Sequence, residues 1–107
     1  MSGTSLDGID AVLAAFENNT CKLLHSQFIP FDETLRTELL ALNSAGANEL
    51  ERAALAANEL SRRYAAAIQA LLGKEGIRAG RVKAIGCHGQ TVRHRPDLGF
   101  TVQLANP

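Results

Sequence analysis

Two largely apolar segments near the start of the chain are separated by a short polar stretch. Residues 9–16 are apolar apart from Asp10, and a second segment, residues 21–29, stops at Pro30, whose ring nitrogen cannot donate to a strand ladder. Residues 17–20 between them have the composition of a tight turn. The pattern predicts two neighbouring strands that pair as an antiparallel hairpin.

A short helix is predicted directly after the hairpin. Asp32 has the side chain of an N-cap, and Glu33 lies in the first turn, where a negative charge faces the positive end of the helix dipole. Apolar side chains then recur at helical spacing and stop before Gly46. They are Leu35, Leu39 and Leu42. This spacing predicts one helix with a single apolar face.

A second, longer helix has the most regular pattern in the chain. Asn48 and Glu51 have the spacing of a capping box, with Asn in place of Ser or Thr. Apolar residues follow at alternating steps of three and four, up to an end at Gly73 or Gly76. They are Leu50, Ala53, Ala57, Leu60, Tyr64, Ala67 and Leu71. The stripe is rich in Ala and short for a coiled coil, so it predicts a helix that packs on a sheet.

The last quarter of the chain returns to strand patterns. Residues 81–87 read as a buried strand, residues 88–91 as a polar loop, and residues 100–104 as an alternating final strand after a turn at 96–99. Strands and helices in this order predict an α/β layer structure. Because the sequence contains no internal repeat and no linker, we expect residues 1–107 to form one unit.

Composition narrows the classes of function. Eleven basic and eleven acidic residues leave no net charge to attract nucleic acid or an anionic membrane, so we expect neither as a partner. No apolar run approaches the length of a membrane span, and the polar first residues do not resemble a signal peptide. The expected location is the cytoplasm. Cys21 and Cys87, both in predicted strands, are therefore expected to be reduced and buried.

A loop rich in small residues precedes the first predicted strand and is the first candidate site. Gly3 and Gly8 let the backbone approach a ligand, and successive amides in such a turn bind anions. Thr4 and Ser5 add hydroxyl groups, and Asp7 suits Mg²⁺. The loop lacks the Lys of a Walker motif and leads into a strand, not a helix. It is either a nucleotide phosphate clamp or a tight turn that needs Gly and Asp for its geometry.

The second candidate site follows the predicted strand at residues 81–87. Gly86 and Gly89 would let a ligand close on the backbone, at the strand end where α/β sheets bind ligands. Polar groups that can read the hydroxyls and amide of a sugar come from His88, Gln90 and Thr91. The alternative is that His88 is a histidine with a purely structural role.

Three other arrangements carry less weight. A zinc site built on Cys21, His25, Cys87 and His88 lacks any C-x₂-C pair, and a hydrolase triad lacks a nucleophile elbow. The basic cluster at residues 93–95 either meets a carboxylate or phosphate of the substrate or is a solvated turn. We expect neither a zinc site nor a hydrolase.

Together, the two motifs resemble a known family. Residues 1–10 and residues 84–92 are similar to the two N-terminal signatures of anhydro-N-acetylmuramic acid kinases, and the resemblance covers essentially the whole chain. It implies a ribonuclease H-like α/β fold of the acetate kinase, sugar kinase, Hsp70 and actin group. It also implies that ATP phosphorylates the 6-oxygen of 1,6-anhydro-N-acetylmuramic acid while water opens the anhydro ring, in bacterial cell-wall recycling.

The resemblance also assigns residues. It implies ATP and Mg²⁺ as cofactors, with Asp7 as the residue suited to the metal. The implied phosphate-binding segment consists of Gly3, Thr4, Ser5, Leu6, Asp7, Gly8, Ile9 and Asp10. The loop with His88, Gln90 and Thr91 is then expected to lie at the sugar cleft.

Two features of the family are missing from this sequence. The family's catalytic Asp, in an Asp-x-Gly-Pro-Gly-Asn-like segment, does not occur here, nor does the strand that leads into residues 1–5 in family members. We therefore expect an incomplete first kinase domain without turnover of its own. The alternative is a non-catalytic sugar-binding or interaction module. With no strand in front of it, the edge of residues 9–16 would be exposed, and a homodimer is the expectation of that alternative.

Overall fold

The computed structural model describes residues 5–106, which form two β-hairpins and two helices. Short 3₁₀ turns lie at Ala79–Arg81 and Pro96–Leu98. The six longer elements are β1 (Gly8–Glu17), β2 (Thr20–Pro30), α1 (Glu33–Ala41), α2 (Glu49–Lys74), β3 (Gln90–Arg95) and β4 (Phe100–Leu104). The chain is thus a mixed α/β structure.

The first hairpin confirms the sequence prediction. β1 and β2 pair antiparallel, with Ile9 opposite Ile29 and Glu17 opposite Thr20. The loop consists of Asn18 and Asn19, both with positive φ (49° and 62°), as a two-residue turn with the twist of a hairpin requires. Asn tolerates this left-handed backbone better than most residues do.

The start of α1 also confirms its prediction. The Asp32 carboxylate accepts a hydrogen bond of 2.9 Å from the backbone N–H of Leu35, and Asp32 has the extended backbone of an N-cap. Leu35, Leu39 and Leu42 are all buried, so the predicted stripe is the packed face.

The capping box predicted for α2 is wrong, although the helix itself forms. Asn48 has a left-handed backbone (φ 51°, ψ 33°), and its side chain makes no capping hydrogen bond. A capping side chain needs an extended backbone to reach the amides of the first turn. Asn48 contributes only its carbonyl, which accepts from the Arg52 N–H at 3.0 Å.

Most of the predicted stripe of α2 lies in the core. Leu60 and Ala67 have no exposed surface, whereas Leu50, in the first turn, is 88% exposed. Residues of both hairpins and of α1 meet this stripe in one cluster. Its members outside α2 include Ile9, Ala11, Leu39, Leu42, Val92 and Leu104. One helix therefore joins two sheets that do not pair with each other.

The predicted buried strand at residues 81–87 is wrong. A strand needs a partner, and in the described part of the chain β1 pairs only with β2 and β3 only with β4. Residues 82–89 therefore have no ladder, and Ile85 is 66% exposed. The expectation of buried cysteines fails as well, since Cys21 and Cys87 are exposed free thiols.

Candidate functional site

The first motif is a tight turn that leads into β1. Gly3 and Thr4 lie outside the described residues. Leu6 is buried (4% exposed) despite a left-handed φ of 56°, so its side chain anchors the turn in the core. Strain of this kind persists where the surroundings fix the backbone, and it is common at ligand sites.

Gly8 holds this turn against β2. A Cβ at Gly8 would lie 2.3 Å from the Ile29 carbonyl oxygen, well inside contact distance. The neighbouring Asp7 carbonyl accepts a hydrogen bond of 3.0 Å from the Phe31 N–H, which extends the ladder by one bond. The turn is therefore fixed on one side by the backbone of β2.

The exposed side chains of the turn are its polar ones. Ser5, Asp7 and Asp10 are exposed, whereas Ile9 is 2% exposed and can offer a ligand only its backbone. No group of three or more His, Cys, Asp or Glu side chains is close enough to hold a metal among residues 5–106. Mg²⁺ in phosphate sites is commonly held by one or two carboxylates with phosphate and water, and an exposed Asp7 fits that donor set.

The second motif is divided between the surface and the interior. His88 is exposed, Thr91 is half-buried, and Gln90 is 1% exposed at the start of β3. The Gln90 side-chain amide donates to the Thr91 carbonyl at 3.3 Å. The Thr91 hydroxyl accepts from the Gln103 side chain of β4 at 3.3 Å. A ligand on this surface would meet His88 and Thr91 first.

Gly89 fits against β4 as Gly8 fits against β2. Its φ is 76°, and a Cβ there would lie 2.5 Å from the Leu104 carbonyl oxygen. Both motifs thus contain a glycine at a close approach between backbones. At both positions the backbone of the neighbouring strand already requires a glycine.

A groove brings the inner parts of the two motifs together. Residues 9–13 of β1 form one wall, residues 84–87 with Val82 form the other, and α2 closes the floor around a volume of about 290 Å³. Ile9 and Asp10 of the first motif and Gly86 and Cys87 of the second line it. The outer residues Asp7 and His88 do not.

The floor of this groove includes a tyrosine for which the sequence pattern predicts only a packing role. Tyr64 lies among the Ala and Leu residues of the α2 stripe, and periodicity alone identifies it only as a packing residue.

A larger, open cleft of about 770 Å³ between α1 and α2 contains no residue of either motif. Its ion pairs join Glu38 to Arg52, and Arg63 to both Asp32 and Glu59. We therefore assign no chemistry to that cleft.

The basic cluster is engaged by carboxylates of the chain itself. Arg93 donates to Glu49, and Arg95 donates to Asp97 at 2.7 and 3.0 Å. The hydrogen bonds from Arg95 lower the pKa of the Asp97 carboxyl, and the same contact raises the pKa of Arg95. Arg95 matches the predicted solvated turn, whereas Arg93 does not, because only 24% of its side chain is exposed.

Comparison with known proteins identifies relatives of the whole chain. Residues 1–107 match the family model for anhydro-N-acetylmuramic acid kinase. The chain is similar to proteins of that name from Bordetella pertussis (59% identity over 107 residues, all of this chain and 28% of the relative) and Nitrosomonas europaea (56% over 108 residues, 99% and 30%). A third, from Thiobacillus denitrificans, is 55% identical over 99% of this chain and 28% of its own. The chain thus spans less than a third of the length of these relatives.

Among residues 5–106, neither helix combines the length and the apolar character that crossing a bilayer requires.

Two glycines allow the close approach at Gly89 to be tested separately from its positive φ. Gly99 has a similar φ of 78°, but a Cβ there would meet nothing within 4 Å. Gly99→Ala should cost about 1–2 kcal/mol, the penalty for a left-handed non-glycine residue. Gly89→Ala should cost about 1–3 kcal/mol more, because the added methyl forces β3 and β4 apart. Urea unfolding followed by circular dichroism measures both, and equal losses would show that the packing against Leu104 is not a constraint.

Proposed function

Because the chain belongs to the anhydro-N-acetylmuramic acid kinase family, we propose that it supplies parts of the nucleotide and sugar sites of such a kinase. In the proposed reaction, ATP, 1,6-anhydro-N-acetylmuramic acid and water give ADP and N-acetylmuramic acid 6-phosphate, as the anhydro bridge opens. The observation that carries the proposal is the match of both motifs, and of everything between them, to one family of kinases.

The nucleotide phosphates are assigned to residues 3–10. The proposal is supported by the turn itself, in which Leu6 is anchored in the core and Gly8 is packed on β2, so that the backbone amides are held in place before a ligand arrives. Preorganised donors of this kind provide most of the catalysis of phosphoryl transfer. Asp7 is the residue that holds Mg²⁺, whose charge neutralises the phosphates when the ion is bound.

The sugar is assigned to the surface of residues 88–91. His88 offers the sugar an exposed polar group, and Thr91 offers a half-buried one. The buried Gln90 does not contact the sugar but fixes the backbone of Thr91 through its hydrogen bond to the Thr91 carbonyl. The groove between β1 and residues 82–87 supports placing both ligands on the same side of the molecule, since residues 9–10 of the first motif and residues 84–87 of the second line it.

The fold proposed for the complete kinase is ribonuclease H-like, and the proposed location is the cytoplasm. An antiparallel hairpin followed by a helical layer is consistent with the first part of such a domain. The reaction also needs a base to activate the attacking water, and the family's Asp-x-Gly-Pro-Gly-Asn-like segment does not occur among these 107 residues. We therefore propose that the chain binds its ligands without turning them over.

Titration of the ¹⁵N-labelled chain with 1,6-anhydro-N-acetylmuramic acid tests the sugar assignment. The amide signals of residues 88–91 should shift in a saturable manner. Thr91→Val removes one hydroxyl at nearly constant shape and should weaken binding by about 3- to 10-fold, the worth of one hydrogen bond. Thr37→Val is the matched control, because Thr37 is an exposed residue of α1.

The same samples test the absence of turnover. With ATP and Mg²⁺ present, no N-acetylmuramic acid 6-phosphate should accumulate, and its clear formation would contradict the proposed division of the catalytic groups. A titration that shifts no amide among residues 88–91 would contradict the sugar assignment.

The exposed edge of β1 favours a second candidate function, an interaction module that forms a homodimer. Among the described residues β1 forms a ladder only with β2, and a strand edge without a ladder partner can pair with another chain. For two β1 edges to meet, residues 82–87 must move aside, because they form the opposite wall of the groove.

Light scattering tests this candidate. It predicts a mass of twice 11.4 kDa at high protein concentration. Val12→Lys, a new charge on the edge strand, should restore the monomer, whereas Leu55→Lys, on an exposed site of α2, should leave the dimer intact. A strict monomer at all concentrations would exclude the homodimer.

A further inference from the structure

Arg93 joins three elements at one point. Its Nε donates to the Leu42 carbonyl at 3.2 Å, and its Nη2 donates to the Glu49 carboxylate. Leu42 is the C-cap of α1, and Glu49 is the first residue of α2. A cation is favourable at the carbonyl end of a helix, and a guanidinium can bind two acceptors in a fixed geometry. Arg93 thus attaches β3 to the junction of the two helices.

A β-bulge explains why Arg93 points to the helices. Thr91 lies opposite Gln103 on β4, and Arg93 lies opposite Val102, so Val92 is the extra residue. Without the bulge, alternation would place Arg93 on the outer face, with Thr91. With it, Arg93 shares the face of the pair Gln90 and Leu104, which is buried. Bulges commonly redirect a side chain in this way.

The same bulge is directly adjacent to the proposed sugar surface. Besides its ladder with β4, β3 is held by Gln90 and Val92, both buried, and by the polar link from Arg93. We propose that Arg93, through Leu42 and Glu49, is a positioning residue that fixes the backbone of Gln90 and Thr91 for sugar binding. This inference rests on the proposed function of residues 88–91.

A direct contact between Arg93 and a substrate carboxylate predicts different behaviour. In that case Arg93→Lys would keep most of the binding, and Glu49→Gln would leave it unchanged or improve it, because a competing anion is removed. A positioning role requires that the Arg93 guanidinium bind the Leu42 carbonyl and the Glu49 carboxylate at the same time. Glu49→Gln should then reproduce most of the defect of Arg93→Met, and Arg93→Lys should rescue it only in part.

The experiment compares Arg93→Met, Arg93→Lys and Glu49→Gln in the ¹⁵N-labelled 107-residue chain. Arg95→Met is the matched control, since Arg95 pairs only with the nearby Asp97 among the described residues. The first readout needs no ligand: the amide signals of Gln90 and Thr91 should shift, and their hydrogen exchange should accelerate, in Arg93→Met and Glu49→Gln but not in Arg95→Met. The second readout is affinity for 1,6-anhydro-N-acetylmuramic acid, which should fall by about tenfold in Arg93→Met.

The two readouts separate this inference from the function on which it rests. The positioning role would be overturned if the amide signals of Gln90 and Thr91 were unchanged in Arg93→Met and Glu49→Gln, whatever the affinity for the sugar. If these amides change in the variants but the wild-type chain binds no sugar, the sugar assignment is overturned. The role of Arg93 in sugar binding is then overturned with it. If Arg93→Met does not fold, Glu49→Gln and Arg93→Lys give the same test, with normal thermal unfolding as the condition for comparison.

Discussion

The burial of one apolar stripe on α2 holds the whole structure together. Among the described residues β1 and β2 form no ladder with β3 and β4, and both hairpins contribute side chains to the core around this helix. Leu60 and Ala67 have no exposed surface, and burying a side chain the size of Leu contributes about 1.5–3 kcal/mol. The many Ala residues let the helix lie close to the strands. Both motifs are therefore positioned by the same helix.

Two glycines pack the motif turns closely against neighbouring strands. Gly8 and Gly89 each lie where a side chain would overlap a carbonyl oxygen of the neighbouring strand. A glycine in a ligand-binding motif is often attributed to the approach of the ligand. Here the approach of another strand already requires it. The packing of these glycines therefore positions both turns, whether or not a ligand also approaches them.

Local signals in the sequence predicted the local structure well. The hairpin with its Asn–Asn loop, the Asp32 cap and the stripe from Ala57 to Leu71 all depend on residues close in sequence. The strand at residues 81–87 was predicted from an equally clear pattern, yet a strand also needs a partner, and no partner pairs with it among the described residues. The capping box at Asn48 failed for a related reason, since the backbone angle there is not encoded by residue types alone.

The candidate site shows the same difference between local features, which the sequence predicts, and contacts distant in sequence, which it does not. Its residues were chosen from motif and family resemblance, which do not predict the directions of their side chains. Gln90 turns inward because it lies opposite the buried Leu104, and Arg93 reaches the helices because of a single extra residue, Val92, in the ladder of β3 and β4. Strand register is set by contacts distant in sequence. The number of polar residues in a motif therefore overstates how many of their side chains are accessible to a ligand.

We propose that the turn before β1 binds nucleotide phosphates in a chain of this kinase family. The most direct measurement is titration of the ¹⁵N-labelled chain with a non-hydrolysable ATP analogue and Mg²⁺. The account predicts saturable shifts of the amides of residues 5–10, which weaken in Asp7→Asn and persist in Asp97→Asn, an exposed carboxylate far along the sequence. Saturable binding that leaves the amides of residues 5–10 unmoved, or no binding at millimolar nucleotide, would contradict it.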